Sequence, residues 1–449
     1  MHGVVGTPGA LELLEDGLLV IAGGKVVAIH REAGSARSIV NAKQSILLAP
    51  DEMCMPGFID THVHAPQYAF TGTATDLPLM DWLQKYTFPA ERRMADVALA
   101  RRVYEALVAK LLAHGTTTAV YYGSIHLEAT KLLVDVCRAK GQRAFVGKVA
   151  MDQHGAEGYQ ETTAASLRDT EALIEYCHAC EPSAADAVAR LVNPVVTPRF
   201  IPTCSAELLT GLGALAAKHR ERGCWVQSHI AESRDEMAFV ESLYPGERDA
   251  AIFDAAGLLT DRCIMAHGVH LATNELRLCA ARRAGIACCP LSNTFFADGA
   301  FPLVQAQEAG VRVGLGTDVA GGYSPSLLVG GVRHAVYASK ALQALAAREG
   351  AVEVDYRRAF WTATVGGAAA LGLEAELGHF APGTQFDAVI VGCDGGAFDT
   401  LDTARCLAAD FERYCNLGDD RNVKATFVRG RRVGVAGAHQ WPEEAPANW

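Results

Sequence analysis

From Gly57 to Val319 the chain repeats one phrase. A short apolar strand ends in polar residues, and a helical stretch follows. Strands are expected at 57–64, 116–123, 143–151, 191–200, 224–230, 263–268, 285–293 and 311–319. Helices are expected between them, among them 95–113, 206–222 and 274–283, with Ser205 and Thr273 as N-caps. Eight strands alternating with helices predict an α/β fold, a (β/α)8 barrel. The chain ends have a different rhythm. Residues 1–50 alternate short apolar runs with Gly pairs, and hairpin-like runs return after Leu377, with a turn expected over 417–420. The expected organisation is a barrel over 53–376 and one small β domain built from both ends, 1–52 and 377–449.

In such a barrel the C-terminal strand ends form the catalytic face, so the residues found there carry the chemistry. On the first strand His62 and His64 stand two apart and project to one side. Alone, that pair fits an exposed polar strand as well as half a metal site. The fifth strand ends at His229, with Glu232 three residues beyond; the sixth ends at His267; the eighth carries Asp318. Their convergence supplies the N and O ligands of a catalytic Zn²⁺ or Fe²⁺, with a position left for water.

Composition narrows the partner. A formal charge of −11 argues against a polyanion such as nucleic acid, and a small neutral substrate fits better. No apolar run reaches the ~18 residues of a membrane span, and the first ten residues lack a signal pattern. Thirteen scattered cysteines are best explained as reduced thiols, which predicts a cytoplasmic protein.

His-x-His on strand one, His on strands five and six and Asp on strand eight resemble the metal-dependent amidohydrolases. More narrowly, the stretch Pro56-Gly57-Phe58-Ile59-Asp60-Thr61-His62-Val63-His64-Ala65-Pro66-Gln67-Tyr68 resembles the guanine deaminase branch of that superfamily. Asp76-Leu77-Pro78-Leu79, Trp82-Leu83, Lys85-Tyr86-Thr87-Phe88-Pro89-Ala90-Glu91 and Thr197-Pro198-Arg199-Phe200 do so too. So do residues 314–324 and 417–422. The resemblance implies one zinc per chain, held by His62, His64, His229 and Asp318, and conversion of guanine and water to xanthine and ammonia. It implies that His267 touches the metal-bound hydroxide and that Glu232 carries protons, with Asp318 also accepting one. Gln67, Arg199 and Phe200 would bind the purine, Leu79 and Trp82 would wall the pocket, and the protein would be a homodimer. One departure stands out. After strand seven the family tends to carry His-Cys-Pro-Asn-Ser-Asn, whereas this chain has Cys288-Cys289-Pro290-Leu291-Ser292-Asn293. Two alternatives stay open: a deaminase of another amino-heterocycle, and a catalytically silent barrel serving as a scaffold.

Other signals imitate chemistry. His126-Leu127-Glu128 with Cys177-His178-Ala179-Cys180 approximates a second zinc-deaminase signature, but Tyr176 occupies the place of its proline and the cysteines fall within an expected helix. His114, His219, His270 and His334 read as surface or packing residues. Cys288 and Cys289 read as buried thiols.

Overall fold

The computed structural model describes residues 1–36, 42, 44–182, 184, 186–297, 299–346, 353–393, 398 and 406–434. Eight parallel strands follow one another in chain order around a barrel. They are β1 (Phe58–His64), β2 (Thr116–Tyr122), β3 (Arg143–Gly147), β4 (Val192–Pro198), β5 (Trp225–Ile230), β6 (Cys263–His267), β7 (Gly285–Cys288) and β8 (Arg312–Leu315). From β1 to β7 every strand residue is buried, as expected where helices cover the outside of a parallel sheet. Contacts between β1 and the segment around β8 bring the barrel round. Thr61 Oγ1 donates to the Leu315 carbonyl at 2.8 Å, and the Asp318 N–H donates to the His62 carbonyl at 2.9 Å.

Three expected strands end early, each for a local reason. Residues 143–151 split at Lys148, whose ammonium turns to Glu161 at 2.7 Å, and Val149–Ala150 forms a separate short strand against β4. Residues 285–293 leave the sheet after Cys288, because Pro290 opens the helix Pro290–Phe296 with its preset φ. The last strand stops at Leu315, and 316–319 continue as irregular backbone toward the barrel mouth. Among the helices, Val97–Ala113 starts two residues later than expected because Asp96 caps it, accepting from Ala98 N at 2.9 Å and Leu99 N at 3.2 Å. Ser205 caps Ala206–His219, which passes into a 3₁₀ turn at Arg220–Arg222. The helix expected from 274 begins at Thr273, so Ala272 is its cap residue and Glu275 accepts the Ala272 N–H at 2.9 Å.

Both chain ends meet in a second, antiparallel sheet. Its strands, in order, are Arg431–Gly434, Val423–Val428, Ala388–Gly392 and Glu52–Pro56. A hairpin of Leu18–Ala22 and Lys25–His30 turns through Gly23 and Gly24, both at positive φ. The turn expected over 417–420 lies where helix Leu407–Leu417 ends at Gly418. Of the C-terminal segment, 435–449 lie outside the described residues. A buried ion pair, Arg143 Nε to Asp387 Oδ2 at 2.8 Å, ties β3 to the start of the sheet strand Ala388–Gly392.

Candidate active site

At the C-terminal mouth of the barrel the strand ends bring four imidazoles together. His62 lies 4.8, 4.9 and 5.3 Å, ring centre to ring centre, from His64, His229 and His267. His64 Nε2 and His229 Nε2 are 3.0 Å apart. Asp318 Oδ1 stands 3.1 Å from His62 Nε2 and 3.5 Å from His64 Nε2. The outward nitrogens show which tautomer each ring holds. His229 Nδ1 lies 2.5 Å from the Arg199 carbonyl and His267 Nδ1 lies 2.9 Å from Asn293 Oδ1. An acceptor there takes the ring N–H and turns a bare Nε2 lone pair inward.

Burial sets the charge states. It pushes His62, His64 and His229 well below the ordinary imidazole range, and nearby cationic groups add to the effect. These rings are neutral at pH 7. Burial likewise raises Asp318, opposed by His267. His62 Nε2 and His267 Nε2 are buried without a hydrogen-bond partner. Orphaned nitrogens converging on a buried carboxylate form a donor set that fits a cation. Three imidazole nitrogens and a carboxylate suit a divalent transition metal, and His62, His64 and His229 present their donor atoms within 4.8 Å of one another.

Glu232, two residues past β5, sits beside this cluster, with its Oε1 3.4 Å from His267 Nε2. Burial, then the charges of Asp318 and Asp235, raise its carboxyl well above the usual range, which favours the protonated form. The backbone here is unusual. His267 has φ +71°, Asp318 φ +50° and Ala231, just before Glu232, φ +43°. A side chain in the left-handed region costs roughly 1–3 kcal/mol and tends to persist at functional sites.

Beside the cluster opens a small, tight cavity. Gln67, Leu79, Trp82, Arg199 and Phe200, the expected substrate contacts, all line it, together with His64, His229, Glu232, His267 and Asp318 of the cluster. Sequence reading missed the groups behind these. Glu91 is fully buried and binds Gln67, Arg199 and Tyr159. The Tyr122 ring packs 4.8, 4.6 and 4.8 Å from those of His62, His64 and His229. Asp60 accepts from Thr317 Oγ1 at 2.6 Å, Thr317 N at 2.9 Å and His62 N at 3.3 Å, which fixes β1 against the loop carrying Asp318. The resemblance motifs contained Glu91 and Asp60 without giving either a task. Their partners are far away in sequence, so no local pattern marks them.

The look-alike signals lie elsewhere. Cys177 and Cys180 are in helix Thr163–Cys180, away from the mouth. His178 and His219 do approach Glu175 on the outer helices. There Glu175 is already bound by Arg222 at 2.6 Å, and His219 Nε2 faces Glu171 at 3.4 Å. Cys288, the last residue of β7, and Leu291, in the helix that follows, are both buried.

Comparison with known proteins agrees with this architecture. A guanine deaminase of Dictyostelium discoideum is 39% identical over 397 residues, 88% of this chain and 85% of that protein. The crystal structure of a guanine deaminase from C. acetobutylicum with bound guanine superposes with a TM-score of 0.84 at 30% identity, covering 94% of this chain and 95% of that one. An adenosine deaminase from Xanthomonas campestris with bound zinc gives 0.80 at 25% identity, covering 94% and 89%. The family model described as Amidohydrolase family matches residues 53–433, and this chain belongs to that family.

Proposed function

We propose that the protein is a guanine deaminase, hydrolysing guanine to xanthine and ammonia, with one zinc per chain held by His62, His64, His229 and Asp318. The observation that carries the reading is the joining of two sites at the barrel mouth. A buried imidazole–carboxylate cluster opens into a small cavity whose walls are aromatic and whose polar groups are an amide and a guanidinium. When bound there, the metal would acidify a water, from a pKa of 15.7 to about 7.

The chain's own residues do the rest. Phe200, Leu79 and Trp82 present flat apolar surface to a planar base and keep water away. Arg199 and Gln67 offer hydrogen bonds to its oxo edge, and inside a dry pocket such bonds are strong. Asp318 takes one proton from the water as the new C–O bond to C2 forms, while Glu232, held toward its protonated form by burial, gives its proton to a ring nitrogen beside C2. Glu232 then takes the remaining hydroxyl proton of the adduct and passes it to the amino nitrogen as the C2–N bond breaks, and the proton on Asp318 returns to Glu232. One proton thus ends on the ring and one on the departing ammonia. His267, its outward nitrogen fixed by Asn293, keeps an Nε2 directed at the reacting oxygen.

The deciding assay is ammonia release by the purified protein from guanine, adenine, cytosine and a triazine. Guanine should be turned over fastest. Faster release from one of the others would replace the substrate, and no release from any of them by metal-loaded protein would favour the silent scaffold.

A further inference from the structure

The helix Phe88–Arg92 lies in the segment after β1 and contributes no group to the cavity wall, yet its Glu91 and Phe88 both contact the cavity residue Arg199. Glu91 on it is fully buried. Its Oε1 accepts from Gln67 Nε2 at 3.0 Å and from Arg199 NH2 at 3.2 Å. Its Oε2 accepts from Arg199 NH1 at 2.7 Å and from the Tyr159 hydroxyl at 2.7 Å. A carboxylate has about four acceptor sites, and all are occupied here. Glu91 therefore has no capacity left to accept from a bound base or to move a proton. What it can do is set direction. The two-bond clamp fixes the plane of the Arg199 guanidinium, and Phe88 stacks beneath that guanidinium at 4.9 Å. The same carboxylate takes one N–H of the Gln67 amide, while the Ala320 N–H donates to Gln67 Oε1 at 3.3 Å. This leaves one N–H and one lone pair of that amide free for a ligand, in a fixed orientation.

We infer that Glu91 is the positioning residue of the pocket, aligning Arg199 and Gln67 together so that one carboxylate sets both hydrogen-bonding directions offered to the purine. It also neutralises Arg199, so the pocket offers oriented donors without a net charge, which suits a neutral base. This inference rests on the guanine reading above.

The test is a double-mutant cycle with Glu91→Gln, Arg199→Met and both together. It is read in kcat/KM for guanine and in the dissociation constant of xanthine. Metal content and melting temperature are measured alongside. Glu91→Gln should lose at least ~10-fold in kcat/KM, the value of one charge-assisted hydrogen bond, mostly through KM, with metal retained. Because Glu91 acts through Arg199 and Gln67, the double variant should lose clearly less than the product of the two single losses, exceeding Arg199→Met only by the share that runs through Gln67. Multiplying losses would overturn the inference, as would a Glu91→Gln protein that is less stable but keeps kcat/KM within about twofold of wild type. If Glu91→Gln leaves Arg199's charge stranded and does not fold, the double variant, which removes that charge, is compared with Arg199→Met alone. A further loss beyond about tenfold would then count against the inference. Wild type that binds xanthine without deaminating guanine would sink the functional reading, and the cycle would still be decided on xanthine binding. Wild type that neither binds nor turns over these purines would overturn both.

Discussion

Among the described residues, groups of three or more potential metal ligands gather at the barrel mouth and on the outer helices around Glu175, His178 and His219. At the mouth the side chains stand on strand ends locked by hydrogen bonds, and the guanidinium of Arg199 is turned to Glu91. His62 Nε2 and His267 Nε2 are buried there without a hydrogen-bond partner. On the outer helices Arg222 supplies a cation, gripping both oxygens of Glu175 at 2.6 and 3.1 Å, and Lys218 shares Glu171 with His219. The contrast shows that residue type and spacing suggest a metal site only where no cationic side chain already holds the carboxylate. Glu175 is held by Arg222, whereas Asp318 faces imidazoles.

The hardest blow to that contrast is His229→Ala. Wild type should carry about one zinc per chain and the variant should lose most of it, with turnover down at least ~10³-fold as the acidified water goes with the metal. Elemental analysis showing full occupancy in the variant would mean the mouth is not where the metal binds. Next is Glu232→Gln, which keeps shape and leaves zinc bound but cannot exchange a proton; kcat should fall ~10²–10⁴-fold. Near-normal kcat in steady-state assays would pass the proton work to Asp318. Arg199→Met comes third. Guanine kcat/KM should drop roughly 10- to 150-fold with a changed guanine/adenine ratio. It also strands Glu91 as a buried carboxylate, at a cost of roughly 3–5 kcal/mol, so calorimetry should show a lower melting temperature. An unaltered ratio would reduce Arg199 to a structural partner.

The smallest effect is expected on the other side of the contrast. His178 is buried with neither ring nitrogen paired, and burial, then Arg222 and Arg190, push it from 6.5 to about 4. Between those values the unfolded chain binds the proton that the folded chain refuses, so stability falls as pH drops through that window. His178→Leu should flatten the stability profile there and leave metal content and guanine turnover unchanged. A drop in metal content would place a working site on the outer helices and end the comparison.

What could be read in the sequence follows from range. His62, His64, His229, His267 and Asp318 were legible because strand periodicity and the barrel rule together say where a strand-end residue must point. The last turns of β7 and β8 were misjudged because apolar residues continue past the hydrogen-bonded ladder. At 290 a proline turns the chain into a helix, and at 316–319 the backbone bends to carry Asp318. Glu91, Asp60, Tyr122 and Asn293 were not legible in role. Each acts on a residue brought near only by the closed barrel, as with Glu91 and Arg199 or Asp60 and Thr317.

The strand Glu52–Pro56 runs through a single glycine into β1, and it is hydrogen-bonded along its length to Ala388–Gly392. During synthesis the strand bearing His62 and His64 therefore emerges early and waits for a pairing partner made near the end of the chain. Contacts of such long sequence separation slow folding and leave an apolar edge exposed meanwhile. A nascent chain arrested before residue 388 lacks the strand that anchors β1 from outside the barrel. Completion of the site is thus a late event on the ribosome, and truncation from the C-terminal end would unseat the early strand that carries His62 and His64.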